Sequence, residues 1–353
     1  MAQSSGRIVV VPGDGIGPEV IEQGLRALDV LNRRFSLGLS FAHKDWGADK
    51  WIKEGIGLPK GTLDDLQNHA EAIYFGALGD PRIPDMAHGR EILLGLRFGL
   101  DLYVNMRPVR LIEERYCPLK NEKRAAIDMV IFRENTEDLY VGKGSVEKKG
   151  SPDEVATDIS LHTRKGVERV VRHAFEFARQ QHRKTVTLAD KSNAIRFGGD
   201  LWQRVFWEVA KDYPDIQAKH LFIDVMAMEF VRAPERFDVV VTSNVFGDIL
   251  TDLGAGLVGG LGLAASANMH PGRIGLFEPV HGSAPDIAGK GKANPMAAMF
   301  TAALMLEFLG AKEAGKALDA AVVHVLKEGY VTPDLGGNLT TIEVANYILK
   351  ALN

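Results

Sequence analysis

Residues 7–19 read RIVVVPGDGIGPE, and the parsing of that stretch decides the fold. An apolar, β-branched run ends at Pro12 and Gly13. A short glycine-rich turn follows, and Pro18 and Glu19 then open a segment with Val20, Ile21, Leu25, Leu28 and Leu31 on one helical face. Buried strand, turn and helix in that order begin an α/β chain. The turn starts like G-x-G-x-x-G, but Pro18 and Glu19 stand where the dinucleotide fingerprint wants its third small residue. No Gly-Lys-Ser/Thr follows, so the phosphate-binding P-loop is absent as well.

Working outward, the same alternation continues. Strands are expected at 72–75, 102–109, 129–132, 185–189, 220–224 and 238–242, and helices at 91–100, 163–180, 248–258, 295–309, 313–328 and 340–352. In the 163–180 segment Val167, Val170, Val171, Ala174, Phe175 and Ala178 recur at the spacing of one helix face. No internal repeat, charge block or Pro/Ser-rich linker interrupts the chain, so two domains would have to interleave. At 353 residues the chain is about twice the ~150 typical of one domain.

Hydrophobic residues at 46% and charged residues at 25% suit a full core and exclude disorder as the main state. A net charge of −4 offers no polyanion surface, so no nucleic-acid partner is expected. The lone Cys117 cannot form an internal disulfide, which fits a reducing cytoplasm. The N-terminus lacks the basic start and long apolar stretch of a signal peptide. Residues 253–267, LGAGLVGGLGLAASA, fall short of the ~20 needed to span a bilayer and hold five glycines. A soluble cytoplasmic protein with no membrane partner is the expectation. Of 37 glycines, eleven lie from Gly247 to Gly291, a concentration that points to close backbone packing or ligand approach.

Four sets of residues carry possible chemistry. Arg97, Arg107 and Arg133 each sit in an apolar strand or helix segment. A buried guanidinium needs an anionic partner, either a bidentate carboxylate ligand or a structural acid such as Glu134, Glu137 or Asp101. Asp248 and Asp252, four apart in NVFGDILTDLGAG, project from one helix face. With Asp224, at the end of the expected strand HLFID, they form an oxygen-only set suited to Mg²⁺ or Mn²⁺, the alternative being Asp248 as a helix cap and Asp252 as a solvated acid. Tyr140 and Lys191 can transfer protons in a suitable setting, although either alone is more often structural. Residues 275–295, GLFEPVHGSAPDIAGKGKANP, read as a long loop in which His281 offers a face to an adenine. Asp286 could accept from a ribose diol and would repel a 2′-phosphate.

Taken together these segments resemble the β-decarboxylating dehydrogenases, the isopropylmalate, isocitrate, homoisocitrate and tartrate/D-malate enzymes. The matching stretches are PGDGIGPEV (12–20), LRFGLDLYVNMRPVR (96–110), FRENTEDLYVG (132–142), DKSNA (190–194), TSNVFGDILTDLGAGLVGGLGLA (242–264), EPVHGSAPDIAGKGKANP (278–295) and TPDLGG (332–337). The resemblance implies an α/β fold of two domains sharing a central sheet, not a Rossmann fold, with a large NAD-binding domain (1–102 plus 259–353) and a small metal-binding and dimerisation domain (103–258). An arm at about 135–162 would be exchanged between subunits. It further implies that Arg97, Arg107 and Arg133 clamp a dicarboxylate substrate, and that Asp224, Asp248 and Asp252 hold Mg²⁺ or Mn²⁺. Lys191 and Tyr140 would be the catalytic base and acid, with Asp224 and Lys191 donated by the partner of an obligate homodimer. His281, Gly282, Ser283, Ala284, Asp286, Ile287 and Asn294 would hold the cofactor, and Asp286–Ile287 favours NAD over NADP. Three arginines, three aspartates, a divalent ion and a malate dianion sum to zero charge, as a buried site requires. Non-catalytic relatives would be expected to lose the metal aspartates, Tyr140 or Lys191, and all are present.

The substrate's 3-substituent should meet the segment before Arg97. Leu93 and Leu94 stand where isopropylmalate enzymes place leucines, and Glu91 would repel a third carboxylate, against isocitrate and homoisocitrate. FRENTEDLY, by contrast, is closer to the isocitrate and tartrate branches. An isopropyl group is worth ~2.4 kcal/mol at ~0.8 per buried carbon, or roughly 60-fold. A 3-alkylmalate, 3-isopropylmalate first, is the leading expectation, and tartrate or D-malate follows.

Overall fold

The computed structural model describes residues 6–120 and 122–352. The chain divides into two compact units. The first comprises 1–102, 111–120 and 255–353, and the second 103–110 and 121–254. The segment 111–120, expected in the second domain, therefore belongs to the first, and the later boundary falls four residues earlier than expected.

In the first unit, strand Arg7–Gly13 pairs in parallel with Ser40–His43 on one side and Ala72–Ala77 on the other. Ile274–Pro279 runs parallel to Ala72–Ala77 and antiparallel to Ala265–His270. Ile8 to Val11 and Ile73 to Phe75 are almost fully buried, which is why the central strands are continuous apolar runs and do not alternate. Helix Gly17–Phe35 follows the first strand with Pro18 and Glu19 in its opening turn and Arg33 and Arg34 in its last, a charge order that suits the helix dipole. Helix Met296–Phe308 is apolar on nearly every face and buried along most of its length, with Glu307 exposed near its end. The backbone N–H groups of the turn between the first strand and helix are taken up by carbonyls of other segments. Asp14 N–H donates to the Ala77 carbonyl (2.7 Å) and Ile16 N–H to that of Ser283 (2.8 Å). Gly13, at φ +74°, lies so close to the Ala77 carbonyl that a side chain there would collide with it. The Asp14 carboxylate accepts from Ala48 N–H (2.7 Å) and Gly79 N–H (2.9 Å) and bonds to His88 Nε2 (3.0 Å).

In the second unit, Val104–Arg110 runs antiparallel to Asp128–Glu134, and Val239–Thr242, Thr185–Asp190 and Gln217–Phe222 continue the sheet in parallel. Helix Arg164–Gln180 buries the apolar face read from its periodicity, and Thr163 caps it by accepting from Gly166 N–H (3.0 Å). Gly144–Glu147 and Val155–Asp158 form a separate antiparallel ribbon, exposed throughout, within the expected arm.

Three expectations need correction. The strand placed at 220–224 is Gln217–Phe222, and Asp224 lies in the first turn of helix Ile223–Arg232. The loop placed at 275–295 opens with the buried strand Ile274–Pro279, whose run ends at proline. The helix expected at 91–100 begins as a π-helical stretch, Arg90–Leu94, continued by Gly95–Gly99. The run 253–267 is the end of helix Asn244–Leu257, a short 3₁₀ turn and the start of a strand. Among the described residues no helix is long and apolar enough to cross a membrane.

Candidate functional site

Helix Asn244–Leu257 organises the second unit's chemistry. It starts four residues before Asp248, so that aspartate lies inside the helix and is not its cap. Strand Asp128–Glu134 delivers Arg133, whose side chain is 2% exposed. Its Nε donates to Asn244 Oδ1 (2.8 Å), and its guanidinium also pairs with Asp248. The neighbouring strand delivers Arg107, which donates to Thr251 Oγ1 (2.6 Å) and lies 3.5 Å from Asp252 and 3.8 Å from Asp248. Tyr140, on the turn after Glu134, donates its hydroxyl to Asp248 Oδ2 (2.7 Å), with the Arg133 guanidinium 5.1 Å over its ring. Two cations, two carboxylates and a phenol thus converge on one turn of one helix.

The electrostatics follow from burial. Burial pushes the Asp252 carboxyl above its ordinary range, with Asp248 adding to the rise and Arg107 opposing it. Burial also raises the Tyr140 phenol, and the hydrogen bond to Asp248 raises it further, so the proton stays on at neutral pH. Glu134, weighed from sequence as an arginine partner, accepts from Thr136 and Glu137 instead, and burial pushes it up to about 7. Glu137 accepts from Thr163, and Asp101 lies 3.5 Å from His270, so the aspartates of the helix are the acids found beside Arg107 and Arg133.

Lys191, in the loop after Thr185–Asp190, donates to Asp224 Oδ1 (2.5 Å), and that hydrogen bond holds the half-exposed Asp224 below the usual carboxylate range. Among the described residues no group of three or more metal-ligating side chains gathers within one chain, so Asp224 does not join Asp248 and Asp252 there. The Asp248–Asp252 pair offers oxygen donors alone, one helical turn apart and matched by nearby cations, and this donor set fits a hard divalent ion.

In the first unit, Arg97 is buried and its partner is Glu278, at 2.8 Å. Glu278 also accepts from Asn268 Nδ2 (2.8 Å). Sequence reasoning missed this acid because its strand had been read as loop. Around 281–294, Ser283 is buried with its carbonyl on Ile16 N–H, and Ala284 holds φ +39°. Asn294 donates to Asp334 Oδ2 (3.0 Å) and accepts from Met296 N–H (3.0 Å), which starts the next helix. Asp286 is exposed, Gly282 has open space above it, and Ile287 is half-buried. His281 Nε2 is buried without a hydrogen-bond partner among the described residues, and burial depresses its basicity. A neutral ring beside unoccupied backbone space suits an adenine.

Before Arg97, Glu91, read from sequence as repelling a third substrate carboxylate, is engaged by backbone. Its Oε1 accepts from Gly57 N–H (2.8 Å) and Leu58 N–H (3.1 Å). Leu93 packs in part against the first unit's core, and Leu94 is half-buried. Asn244, Thr251 and Asp138 were also missed. Each is a short polar residue whose importance depends on which donors the fold brings to it.

The family described as isocitrate/isopropylmalate dehydrogenase matches residues 7–348. A 3-isopropylmalate dehydrogenase of Thermobifida fusca (strain YX) is 47% identical over 330 residues, covering 93% of each chain. A D-malate dehydrogenase (decarboxylating) of Escherichia coli (strain K12) is 43% identical over 355 residues, covering 98% of each. The crystal structure of an isocitrate dehydrogenase from Methylococcus capsulatus superimposes with a TM-score of 0.89 at 38% identity, over 98% of this chain and 99% of the other.

Proposed function

The chain belongs to the isocitrate/isopropylmalate dehydrogenase family, and from that premise we propose that it oxidises and decarboxylates a 3-substituted (2R)-malate with NAD and a divalent cation. The leading substrate is 3-isopropylmalate or another 3-alkylmalate, in keeping with the 47% identical relative. The observation that carries the reading is the convergence of Arg107, Arg133 and Tyr140 on Asp248 and Asp252. A site in which two arginines hold two aspartates is poised for exchange. A dianionic substrate would take over the arginine forks, and Asp248 and Asp252, with Asp224 of a second copy, would then hold Mg²⁺ or Mn²⁺.

When bound there, the cation would supply Lewis-acid polarisation at C2 of the substrate. NAD, held by His281, Gly282, Ser283, Ala284, Asp286, Ile287 and Asn294, supplies the hydride acceptor. The chain's own residues then move protons. Lys191 Nζ, as the neutral amine and by way of Asp224, would take the 2-hydroxyl proton, and Tyr140 Oη would give its proton to the carbon from which CO₂ departs. Arg97, oriented by Glu278, joins the substrate-binding set, as do Leu93 and Leu94.

A homodimer with a shared site is part of this proposal. The exposed ribbon, with Val146, Val155 and Ile159 about half exposed, and Phe197, 88% exposed, are apolar surface that a second copy would cover. D-malate is the second reading. The packing of Leu93 into the core reduces the apolar surface left for a 3-alkyl group, and the 43% identical relative bears that activity's name.

The test is NADH formation with Mn²⁺ over 3-isopropylmalate, D-malate, tartrate, isocitrate and homoisocitrate. The highest kcat/KM is expected with 3-isopropylmalate. A maximum with isocitrate would overturn the substrate assignment.

A further inference from the structure

Asp138 is the one residue of the Tyr140 turn held in a conformation that L-residues avoid, at φ +69° and ψ −148°. It is also buried, at 4% exposure, and its carboxylate collects donors from three directions. Oδ1 accepts from Ser160 Oγ (2.5 Å), and Oδ2 accepts from Ser243 Oγ (2.8 Å) and Val245 N–H (3.0 Å). Its own N–H donates to the Leu161 carbonyl (2.8 Å). One proton arrangement satisfies the chain leading into it. Trp202 Nε1–H donates to His162 Nδ1 (3.2 Å), His162 Nε2–H to Ser160 Oγ (2.8 Å), and the Ser160 hydroxyl to Asp138. That arrangement needs a neutral His162, and burial lowers the basicity of this ring. Burial acts to raise the Asp138 carboxyl, but the hydrogen bonds from Ser160, Val245 and Ser243 outweigh it and keep it ionised.

Ser243 and Val245 flank the start of helix Asn244–Leu257, and Asp248 lies one turn further along the same helix. The turn bearing Tyr140 is therefore tied to that helix at three places, two of them being the Asp138 carboxylate at its N-terminus and the Tyr140 hydroxyl at Asp248. A third tie, from Asn244 Nδ2 to the Glu137 carbonyl (3.1 Å), lies beside the first. A strained, charged and buried residue two positions from a phenol needs a reason to persist, because glycine would hold that backbone without strain.

We propose that Asp138 is a positioning residue that fixes the Tyr140 hydroxyl relative to Asp248 and the reacting carbon by docking the Tyr140 turn on the helix N-terminus. The inference rests on the reading of Tyr140 as the proton donor. Asp138 touches neither substrate nor cofactor in this account and acts only through Tyr140.

The test is a double-variant cycle in the NAD- and Mn²⁺-loaded enzyme with its best substrate, using Asp138→Gly, Asp138→Asn and Tyr140→Phe. Glycine removes the strain together with the three acceptor contacts, whereas asparagine is isosteric and keeps one carbonyl acceptor. Asp138→Gly should lower kcat about 10- to 100-fold, the cost of a phenol displaced by ~1 Å, with substrate KM changed less than about 2-fold because positioning acts in the transition state. Asp138→Asn should fall between Asp138→Gly and the parent. In the Tyr140→Phe background, Asp138→Gly should have almost no further effect, since the group it positions is gone. An undiminished kcat in Asp138→Gly overturns the inference, as does an equal fold-loss in the Tyr140→Phe background. Should the glycine variant fail to fold, Asp138→Asn and Ser243→Ala run the same cycle. Undiminished turnover by Tyr140→Phe alone would refute the acid assignment itself, an outcome distinct from an impaired Tyr140→Phe beside a fully active Asp138→Gly.

Discussion

Replacing Gly247 by alanine adds one methyl group where Arg133 crosses helix Asn244–Leu257. An ideal Cβ at 247 would lie 2.5 Å from Arg133 Cγ, 2.6 Å from its Cβ and 3.0 Å from its Cδ. Carbon atoms in contact settle at ~3.5–4.0 Å, so the two elements must part by about 1 Å. Arg133 cannot yield outward, being 1% exposed and bonded to Asn244 and Asp248. Two effects on stability oppose each other. Gly→Ala inside a helix gains ~1 kcal/mol, and overpacking costs ~1–3 kcal/mol, which leaves a net loss of about 0–2 kcal/mol and a folded protein. Activity has no such compensation. If Arg133 holds the substrate as proposed, its displacement by ~1 Å should cost about 100-fold in kcat/KM. Gly256, late in the same helix, has nothing within 4 Å of its would-be Cβ, so Gly256→Ala should stabilise by up to ~1 kcal/mol and leave Arg133 untouched. Thermal unfolding and steady-state NADH formation on both variants give the comparison. Wild-type kcat/KM in Gly247→Ala would refute the claim that Arg133's placement limits the reaction.

Three further outcomes are expected. Lys191→Ala and Asp248→Asn should each be nearly inactive as purified homodimers, yet co-expression should restore about a quarter of wild-type activity, because half the dimers are hybrids with one intact shared site. No recovery would place all ligands in one chain. Glu278→Gln leaves Arg97 buried without its counter-charge and should lower stability by ~3–5 kcal/mol in chemical denaturation, whereas an unchanged midpoint would show that Arg97 finds another anion. His173, edge-on to Phe132, has its basicity lowered by burial to about 4. The unfolded chain then binds the extra proton first, so stability is full above about pH 6.5 and falls as the pH drops toward 4, by up to ~3 kcal/mol. His173→Gln should flatten that slope in denaturation curves taken between those pH values, and an unaltered slope would assign it to other groups.

Much of this molecule is written locally. The helix Arg164–Gln180 follows from apolar spacing and the strands from short β-branched runs, because burying one face or a whole strand leaves a periodic trace that needs no knowledge of neighbours. Where the trace was missing, reading failed. Ile274–Pro279 follows shortly after another strand among glycines and ends in proline, and Asp224 sits where a strand's last residue and a helix's first look alike. The π-helical stretch at Arg90–Leu94 has no compositional mark.

For the site, the residue types and their spacing alone pointed to three arginines in need of anions and to a pair of aspartates on one helix face. They could not assign partners. Glu134, Glu137 and Asp101 were the near choices in sequence, yet Arg97 found Glu278, 181 residues away, and Arg107 and Arg133 found Asp252 and Asp248, 145 and 115 residues away. Glu91 accepts from two backbone N–H groups more than thirty residues earlier in the chain. Charge pairing depends on distance in space, and distance in space is set by which strands the sheet places side by side. By itself the sequence determined the α/β class, the elements with clear periodicity and the inventory of reactive groups, because these rest on local chemistry. Only the tertiary structure decided which carboxylate meets which guanidinium, and which donors gather on the strained Asp138, because both depend on contacts between segments far apart in the chain.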